Sequence, residues 1–567
     1  MKKKITISPK KMFAFKFILF FLLALPLGLF AQTNNNLPLE VPDDPYVQVS
    51  RDQMEKGPAY RVMNSEYFTV QVNIDEDGND IIGDAGNETS IAVDPTNPNR
   101  MVIGWRQFDT VNNNFRQAGY GYSTDGGLTW TFPGVLNPGV FRSDPVLDFD
   151  AEGNFYYNSL QGTFECDVYK IDDGGVEWNP PVPANGGDKQ WMRVDRTDGI
   201  GAGNIYSNWN ISFSTCAWDF TRSIDGGDSF EECVPVDGAP RWGTIAVDAD
   251  GALYICGAID SDLVVIKSTT AQDPSIPVTF DSVVTVDLDG ELSAFGGINP
   301  QGLIGQMWVD VDISGGAGHG NVYVLASVER NSNNDLADVM FAKSVDGGAT
   351  FSAPMRINTD AGTDNIQWFG TMSVAPNGRI DVIWLDTRDA PSGSDDSRLY
   401  YSFSEDQGEN WSTNEPLSIA FDPHVGYPQQ NKMGDYFDMV SDNESAHLAW
   451  ANTINGGQDV YYTHIIPSDI LAVNNSISTI SEAIIYPNPF NEETTISFSL
   501  KGNEKVTVEV YDILGRKQTT LLNEKVSGNK SIIWDGYRGI GQRLSTGIYF
   551  VSIQAESGRS VIKVVLK

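Results

Sequence analysis

Seven short apolar segments share one pattern, and each begins beside a polar residue that could do chemistry. The segments are SIAVD at Ser90, PVLDFD at Pro145, WMRVD at Trp191, TIAVD at Thr244, MWVDVD at Met307, TMSVA at Thr371 and YFDMV at Tyr436. The polar residues at or just before them are Glu88, Asp144, Asp188 with Lys189, Arg241, Gln306, Gln367 and Asp435. Carboxylates brought together around one axis raise the pKa of at least one of them, or share a cation. We therefore expect one pocket, with the catalytic candidates Glu88, Asp144, Asp188, Arg241 and Asp435.

Aromatic residues follow several of these polar positions. Their faces, together with amides and carboxylates, suit a sugar ligand. The predicted ligand-binding residues are Trp191, Trp242, Gln306, Trp308, Gln367, Trp368 and Tyr436. The alternative is that the tryptophans pack between neighbouring units and that the polar groups cap strand ends.

The elements that must position these residues are strands joined by a recurring turn. The turn is STDGGLTW at Ser123, SIDGGDSF at Ser223, SVDGGATF at Ser344 and SEDQGENW at Ser404, with a degraded copy, IDDGGVEW, at Ile171. Asp125 can accept hydrogen bonds from the turn backbone, Gly127 can take the positive φ of a tight reversal, and Trp130 begins the outgoing strand as an apolar anchor.

Repetition every 40 to 50 residues or so predicts a β-propeller, because one four-stranded unit cannot bury its faces alone. Counting the apolar segments as inner strands predicts an all-β, seven-bladed β-propeller over residues 60–466, with six blades as the alternative. The fourth unit carries no true copy of the turn. Residues 67–74 (YFTVQVNI) alternate apolar and polar side chains, and we expect them to form the outer strand of the unit that contains Met439 and Val460.

The repeated turn resembles the Asp box of sialidases and related propellers. The structural positions that the resemblance implies are Asp125, Gly127, Trp130, Asp225, Gly227, Asp346, Gly348, Asp406 and Gly408. A sialidase also needs three arginines, a tyrosine nucleophile backed by a glutamate, and an acid. Here the nearest match to the family's Arg-Ile-Pro signature is Tyr60-Arg61-Val62-Met63, which lacks the proline, and the family has six blades. A true sialidase is therefore not expected.

The N-terminus has the pattern of an export signal. Residues 1–31 hold six lysines and no acidic residue, and the apolar run FILFFLLALPLGLF is short for a membrane span. We therefore predict a signal peptide over residues 1–31, followed by a polar lead over residues 32–59. After removal of the signal peptide, the mature chain is expected to have no membrane span. Residues 32–479 carry 21 basic and 66 acidic side chains, which would repel nucleic acid.

The C-terminal part is a different module. Residues 467–480 read as a linker, and residues 481–567 contain YPNPF at Tyr486, VTVEVYDILGR at Val506 and STGIYFVSI at Ser545. This order of motifs resembles the type A sorting domain of the type IX secretion system, a small β-sandwich. The resemblance implies a partner in that secretion machinery, and release from the cell or retention on its surface.

Outside the cytoplasm the four cysteines could oxidise. Four cysteines allow three pairings, and we favour Cys166 with Cys216, which leaves Cys233 with Cys256. No residue is assigned as a metal ligand. The loop with Asp75, Asp77 and Asn79 is similar to a calcium loop, but Gly78 is misplaced for an EF-hand, so a turn is expected there. No cofactor is certain, although calcium would suit an acidic exported protein.

Two functions fit this sequence. One is a propeller that binds and processes an extracellular glycan at its central mouth, as a glycoside hydrolase or polysaccharide lyase. The other is a non-catalytic surface propeller that binds glycan or protein. A catalytic site would show a close set of carboxylates with other charged groups in one pocket, whereas a binding module could show only an aromatic floor.

Overall fold

The protein is described by a computed structural model over residues 43–567, apart from 65, 173–176, 293–296, 427–430, 474–479, 513–515, 539–542 and 556–557. The described residues are mostly strands, with a 3₁₀ turn at Arg51–Gln53 and one helix, α1 (Pro467–Val473). Four strands precede the repeats: β1 (Lys56–Pro58), β2 (Arg61–Met63), β3 (Tyr67–Gln71) and β4 (Asn79–Ile81).

Successive antiparallel sheets follow, which we number in chain order. Sheet 1 is β5 (Ala85–Val93), β6 (Met101–Phe108), β7 (Gln117–Ser123) and β8 (Thr131–Val135). Sheet 2 is β9 (Ser143–Phe149), β10 (Phe155–Leu160), β11 (Cys166–Ile171) and β12 (Val182–Pro183). Sheet 3 is β13 (Gly187–Val194), β14 (Ile205–Ser214) and β15 (Phe220–Ser223). Sheet 4 is β16 (Ile245–Val247), β17 (Leu253–Ile259), β18 (Asp262–Ser268) and β19 (Ser282–Thr285).

Three more sheets complete this series. Sheet 5 is β20 (Gly290–Leu292), β21 (Trp308–Val311), β22 (Val322–Arg330), β23 (Asp338–Ser344) and β24 (Met355–Arg356). Sheet 6 is β25 (Gln367–Val374), β26 (Ile380–Asp386), β27 (Arg398–Ser404) and β28 (Glu415–Pro416). Sheet 7 is β29 (Asp438–Ser441), β30 (Ala446–Asn452) and β31 (Asp459–Ile465), joined by β3 and β2.

The predicted pairing of the N-terminal strand is confirmed. β3 pairs antiparallel with β31, with Phe68 opposite His464, in the same sheet as Met439 and Val460. The strand is shorter than predicted, since it ends at Gln71, and it is not the outermost one, because β2 pairs along its free edge.

Side chains of the innermost strands join each sheet to the next around a central channel. Each bond joins a side chain of one inner strand to a backbone group of the inner strand in the next sheet. The seven bonds are Leu147 N–H to Ser90 Oγ at 2.8 Å, Val194 N–H to Asp148 Oδ2 at 2.6 Å, Arg193 Nε–H to the Ile245 carbonyl at 3.0 Å, Val309 N–H to Thr244 Oγ1 at 3.0 Å, Val374 N–H to Asp310 Oδ2 at 2.8 Å, Ser441 N–H to Ser373 Oγ at 3.0 Å and Ile91 N–H to Asp438 Oδ2 at 3.2 Å. The last bond runs from sheet 7 back to sheet 1, so the series is cyclic.

The four good copies of the repeated turn have one geometry, as predicted. In the first, Asp125 Oδ1 accepts the backbone N–H of Thr129 at 2.9 Å, Ser123 Oγ accepts that of Gly127 at 2.9 Å, and Gly127 has φ 80°. The same bonds recur at Asp225, Asp346 and Asp406. Part of the degraded copy, residues 173–176, lies outside the described residues.

The last glycine of each turn packs against an aromatic ring of the preceding sheet. The pairs are Gly127 with Tyr462, Gly227 with Tyr156, Gly348 with Tyr254 and Gly408 with Phe341. A Cβ atom would overlap the ring at Gly127 and Gly408, where it would lie 2.1 and 2.5 Å away, and would make a tight contact at Gly227 and Gly348, at 3.3 and 3.0 Å. The turn therefore contributes to contact between neighbouring sheets as well as to its own hairpin.

The favoured cysteine pairing is wrong. The disulfide joins Cys216 and Cys233, whose Cα atoms are 6.6 Å apart, while Cys166 and Cys256 are free, buried thiols. Cys216 and Cys233 flank β15 on neighbouring segments of sheet 3, next to the bridge between Phe220 and Val234. Cys256 lies in another sheet, where its thiol donates to the Met307 carbonyl at 3.2 Å.

The C-terminal residues form a separate five-stranded antiparallel sheet with its own core. Its strands are β32 (Ile480–Tyr486), β33 (Thr494–Asp512), β34 (Lys517–Trp534), β35 (Gly547–Ala555) and β36 (Gly558–Leu566). Val508, Val510, Trp534 and Val551 are among its buried residues. The predicted linker over 467–480 differs in its first half, where α1 forms.

Candidate functional site

The starts of the inner strands have an unusual backbone. Glu88, Asp144 and Lys189 have φ of 51°, 46° and 56°, and they occupy the same position of the repeat. The register of β5 shifts between Asn87 and Ser90, and β13 shifts in the same way. Bulges re-aim side chains, and left-handed conformations at residues other than glycine persist only where their surroundings impose them.

These bulges bring charged side chains from sheets 1, 2, 3 and 7 into one buried network, which we call the mouth cluster. Its members are Glu88, Arg106, Asp144, Lys189, Lys432 and Asp435. Lys189 Nζ lies 2.7 Å from Asp435 Oδ2 and 3.5 Å from Asp144 Oδ2. Lys432 Nζ lies 2.8 Å from Asp435 Oδ2 and 3.5 Å from Glu88 Oε1.

The carboxyl groups of the mouth cluster differ in acidity. Burial raises the pKa of Glu88 to about 8, although Arg106, with Nη1 at 3.2 Å, and Lys432 oppose the rise. Burial also acts on Asp435, but Lys189 and Lys432 outweigh it and hold that pKa well below its ordinary value. The pKa of Asp144 is lowered too, because Lys189 overcomes the effect of burial.

A neutral Glu88 leaves two ionised carboxylates, those of Asp144 and Asp435, facing the three cations of the network. The Asp188 side chain lies beside them, with Oδ1 at 3.6 Å from Lys189 Nζ. Glu88 and Asp435 contact the same ammonium group of Lys432, so a protonated carboxyl lies near an ionised one. That arrangement suits general acid–base chemistry.

Three predicted polar residues do not take part in these ion pairs. The Arg241 guanidinium stacks on the ring of Trp242, 4.7 Å from its centroid. Gln306 is buried, and its Nε2 has no hydrogen-bond partner among the described residues. The Gln367 side chain bonds to Asn358 and to Asp386.

Most of the predicted aromatic residues are packed inside the protein. The ring of Trp191 lies edge to face with those of Trp308 and Tyr436, at centroid distances of 5.2 and 5.4 Å. Tyr436 donates its hydroxyl to the Pro145 carbonyl at 2.8 Å, and Trp368 donates Nε1–H to Ser397 Oγ at 3.1 Å. These four are buried, whereas Trp242 is half-buried. Their role in binding a ligand stays a prediction.

Sequence reasoning did not place two cations, Arg106 and Lys432, in the mouth cluster, although Arg106 was one of several arginines that could have formed a cluster. Arg106 lies on β6, the second strand of sheet 1, and Lys432 lies in the segment before Asp435. A basic residue within the otherwise apolar strand around Trp105 was the available signal for Arg106. For Lys432 the only signal was its closeness to Asp435 in the sequence.

The acidic loop around Asp75 forms a turn. Asp75 Oδ1 accepts the backbone N–H of Asp77 at 3.0 Å and that of Asn79 at 2.8 Å. Within the described ranges, no group of three or more histidine, cysteine, aspartate or glutamate side chains is arranged to hold a metal ion. Calcium binding therefore stays a prediction. In the same ranges, no helix is long and apolar enough to cross a membrane.

Comparison with known families identifies the last part of the chain. Residues 484–567 match the family model of the secretion system C-terminal sorting domain. The protein is therefore exported through the type IX secretion system, to the cell surface or into the medium. No curated protein matches the chain.

Several solved structures resemble the fold at low identity. A protein of unknown function from Dyadobacter fermentans is 13% identical, with a TM-score of 0.41, over 71% of this chain and 98% of that one. A fungal alcohol oxidase of the AA5 family is 10% identical, with a TM-score of 0.44, over 90% and 99%. The Trypanosoma rangeli sialidase is 10% identical, with a TM-score of 0.35, over 89% of each chain. Similarity at this level does not indicate what this chain binds.

Proposed function

We propose that residues 60–466 form a seven-bladed Asp-box β-propeller that binds and processes an extracellular glycan at the start of its inner strands. The blade count is supported by the cyclic series of bonds from Ser90 round to Asp438. The Asp box is supported by the common hydrogen bonding of its four good copies. The sorting domain delivers this propeller to the outside of the cell, where glycans are available.

The mouth cluster is the observation that carries the proposal for chemistry. Glu88 is the proton donor and Asp435, with Asp144, supplies ionised carboxylates, as cleavage of a glycosidic bond requires. The backbone of Glu88, Asp144 and Lys189 is left-handed. This conformation costs energy, and it is accepted here because it directs the three side chains into the mouth cluster.

One observation favours processing over binding alone. Carboxyl groups of different acidity meet in one place beside three basic side chains. Since the cluster contains one arginine and two lysines, it also differs from the three-arginine clamp of sialidases, so the substrate class is a glycan other than a sialoside.

The test uses the purified mature chain on a glycan array, followed by assays for new reducing ends and for unsaturated products on each glycan bound. Glu88→Gln keeps the shape and removes the proton donor, so it should bind like wild type and lose turnover by about a hundredfold or more. Glu444→Gln, on an exposed turn, is the matched control and should behave like wild type. Full turnover by the Glu88 variant would refute the assignment.

The same experiment separates the alternative function. Binding of a glycan or surface protein without turnover by wild type would identify a non-catalytic binding or adhesion propeller. Absence of binding to any glycan would refute a carbohydrate ligand at this mouth.

A further inference from the structure

The other end of the channel, where the inner strands finish, opens into a cavity of about 710 Å³. Its wall is a collar of valines from five sheets: Val93, Val194, Val247, Val311 and Val374. Trp308 also lines the cavity, and its ring is in edge contact with that of Trp191, which in turn contacts Tyr436. A largely apolar cavity of this size with a few polar groups has the properties of a small-ligand site.

Charged side chains line the inner part of the cavity. Arg193, Arg196 and Asp310 face it, and Asp148 lies behind them, with Oδ1 at 2.6 Å from Arg196 Nη1 and 3.5 Å from Arg193 Nη1. Burial alone would lower the pKa of Arg193, but Asp148, Asp310 and Asp438 raise it above its ordinary value. Three carboxyl groups therefore lie around the Arg193 guanidinium; burial raises the pKa of Asp310, and Arg193 opposes the rise.

The rim of the cavity is acidic as well. It includes Asp94, Asp198, Asp248 and Asp442, of which Asp94 is paired with Arg100 at 2.6 Å. The whole chain has a formal net charge of −37. An anionic ligand would meet repulsion at the rim and two arginines already paired with Asp148 inside, whereas a cation would be attracted at the rim and by the Asp310 carboxyl group.

We propose that this cavity is a second ligand site, which takes an alkylammonium or alkylguanidinium group carried on an apolar stem. The stem packs against the valine collar, and the head group lies between the Asp310 carboxylate and the indole of Trp308. Cations on flexible apolar stems bury the stem while the charge stays with a polar partner, and an aromatic face stabilises such a charge. The site is at the opposite end of the channel from the mouth cluster, so it does not depend on the glycan site.

The first experiment compares three probes that share one stem: hexylammonium, hexanol and hexanoate, each titrated calorimetrically into the full mature protein. Hexylammonium should bind at least about tenfold more tightly than hexanol, and hexanoate should bind most weakly. Equal or tighter binding of hexanoate would overturn the proposal, and so would failure of all three probes to bind.

Variants place the binding in the cavity. Asp310→Asn removes the charge but keeps an oxygen to accept the Val374 N–H, so the preference for hexylammonium over hexanol should fall to about threefold or less. Two control variants remove a carboxylate charge elsewhere. Asp150→Asn does so at the same end of the channel but outside the cavity lining, and Glu88→Gln does so at the mouth cluster. Both should bind hexylammonium like wild type. An unchanged preference in folded Asp310→Asn protein would refute the assignment.

A second variant covers the case in which Asp310→Asn does not fold. Ala249 lies on an exposed turn that lines the cavity, so Ala249→Trp should narrow the entrance and weaken all three probes by about fivefold or more. Unchanged binding there would exclude this cavity. Acetylated Ala-Lys-Ala and Ala-norleucine-Ala amides distinguish a peptide ligand from a small amine. A larger affinity ratio between these two peptides than between hexylammonium and hexanol indicates a peptide ligand.

Discussion

The carboxylate of Asp438 accepts the backbone N–H of Ile91 at 3.2 Å, and its Oδ2 also accepts the Ser90 hydroxyl at 2.6 Å. These two bonds join the last sheet of the ring to the first. They are made by a side chain, and they join β29 and β5, which belong to separate sheets.

Removal of this link should weaken the ring. Asp438→Ala leaves a buried N–H without its acceptor, which costs about 1–3 kcal/mol of the free energy of unfolding. Asp438→Asn keeps one acceptor oxygen and should lose less. Urea denaturation of the two variants measures the difference, and equal stability of both would show that the bond contributes nothing to closure.

The repeated turns should tolerate a side chain at their first glycine better than at their second. Gly126 and Gly127 have φ of 75° and 80°, so alanine strains the backbone equally at both. At Gly127, however, the new methyl group meets the ring of Tyr462, whereas at Gly126 the nearest atom is Asn99 Oδ1 at 3.3 Å. We expect Gly127→Ala to cost about 1–3 kcal/mol more than Gly126→Ala in thermal unfolding. Equal losses of stability in the two variants would mean that backbone strain, and not the contact with Tyr462, sets the cost of both substitutions.

The pH dependence of stability should report on Glu88. Its pKa is raised from an ordinary 4.5 to about 8, so the folded protein keeps a proton that the unfolded chain releases. Its contribution to stability therefore falls as pH rises from 4.5 to 8. Glu88→Gln should melt close to wild type at pH 5 and roughly 2 °C or more above it at pH 9. A difference that is constant with pH would contradict the raised pKa.

Alkylation of the denatured, unreduced protein should label Cys166 and Cys256 alone, because Cys216 and Cys233 are joined. Cys216→Ser and Cys233→Ser should each lose about 3 kcal/mol of unfolding free energy, and the double variant should lose no more than either. Label found on Cys216 or Cys233 would contradict the pairing.

Export should depend on the C-terminal domain. Deletion of residues 484–567 removes a module with its own core, so the remaining chain should fold and accumulate in the periplasm. Cell fractionation with limited proteolysis tests both points. Delivery of the truncated protein to the surface would show that another signal suffices.

Repetition in the sequence was a good guide to the framework and a poorer one to the chemistry. The turn at Asp125 and the pairing of the strand at Tyr67 were predictable because hairpin chemistry and alternation are local. The sequence also predicted that Glu88, Asp144, Lys189 and Asp435 meet. It predicted repulsion among their carboxylates, however, whereas Lys432 and Arg106 arrive from other segments and pair with them. Replacing Asp435 should therefore destabilise the fold rather than relieve it.

Other features depended on contacts that no local pattern reveals. Trp191 is buried against the rings of Trp308 and Tyr436, which come from distant segments of the chain. The disulfide was misassigned because equivalent positions in neighbouring sheets were compared, whereas Cys216 and Cys233 meet within a single sheet.

The pairing of β3 with β31 constrains when the molecule can finish folding. Thr69 and Thr463, whose hydroxyls are 2.9 Å apart, are separated by 394 positions in the chain. During synthesis the strand at Tyr67 emerges early, but its partner is not made until almost every other sheet exists. Until then β3 lacks its partner along one edge, and unpaired strand edges promote association between chains. Pairing over so long a stretch of chain is also slow. Since the sorting domain follows β31 in the chain, the strand that closes the ring is synthesised before the sorting domain is complete.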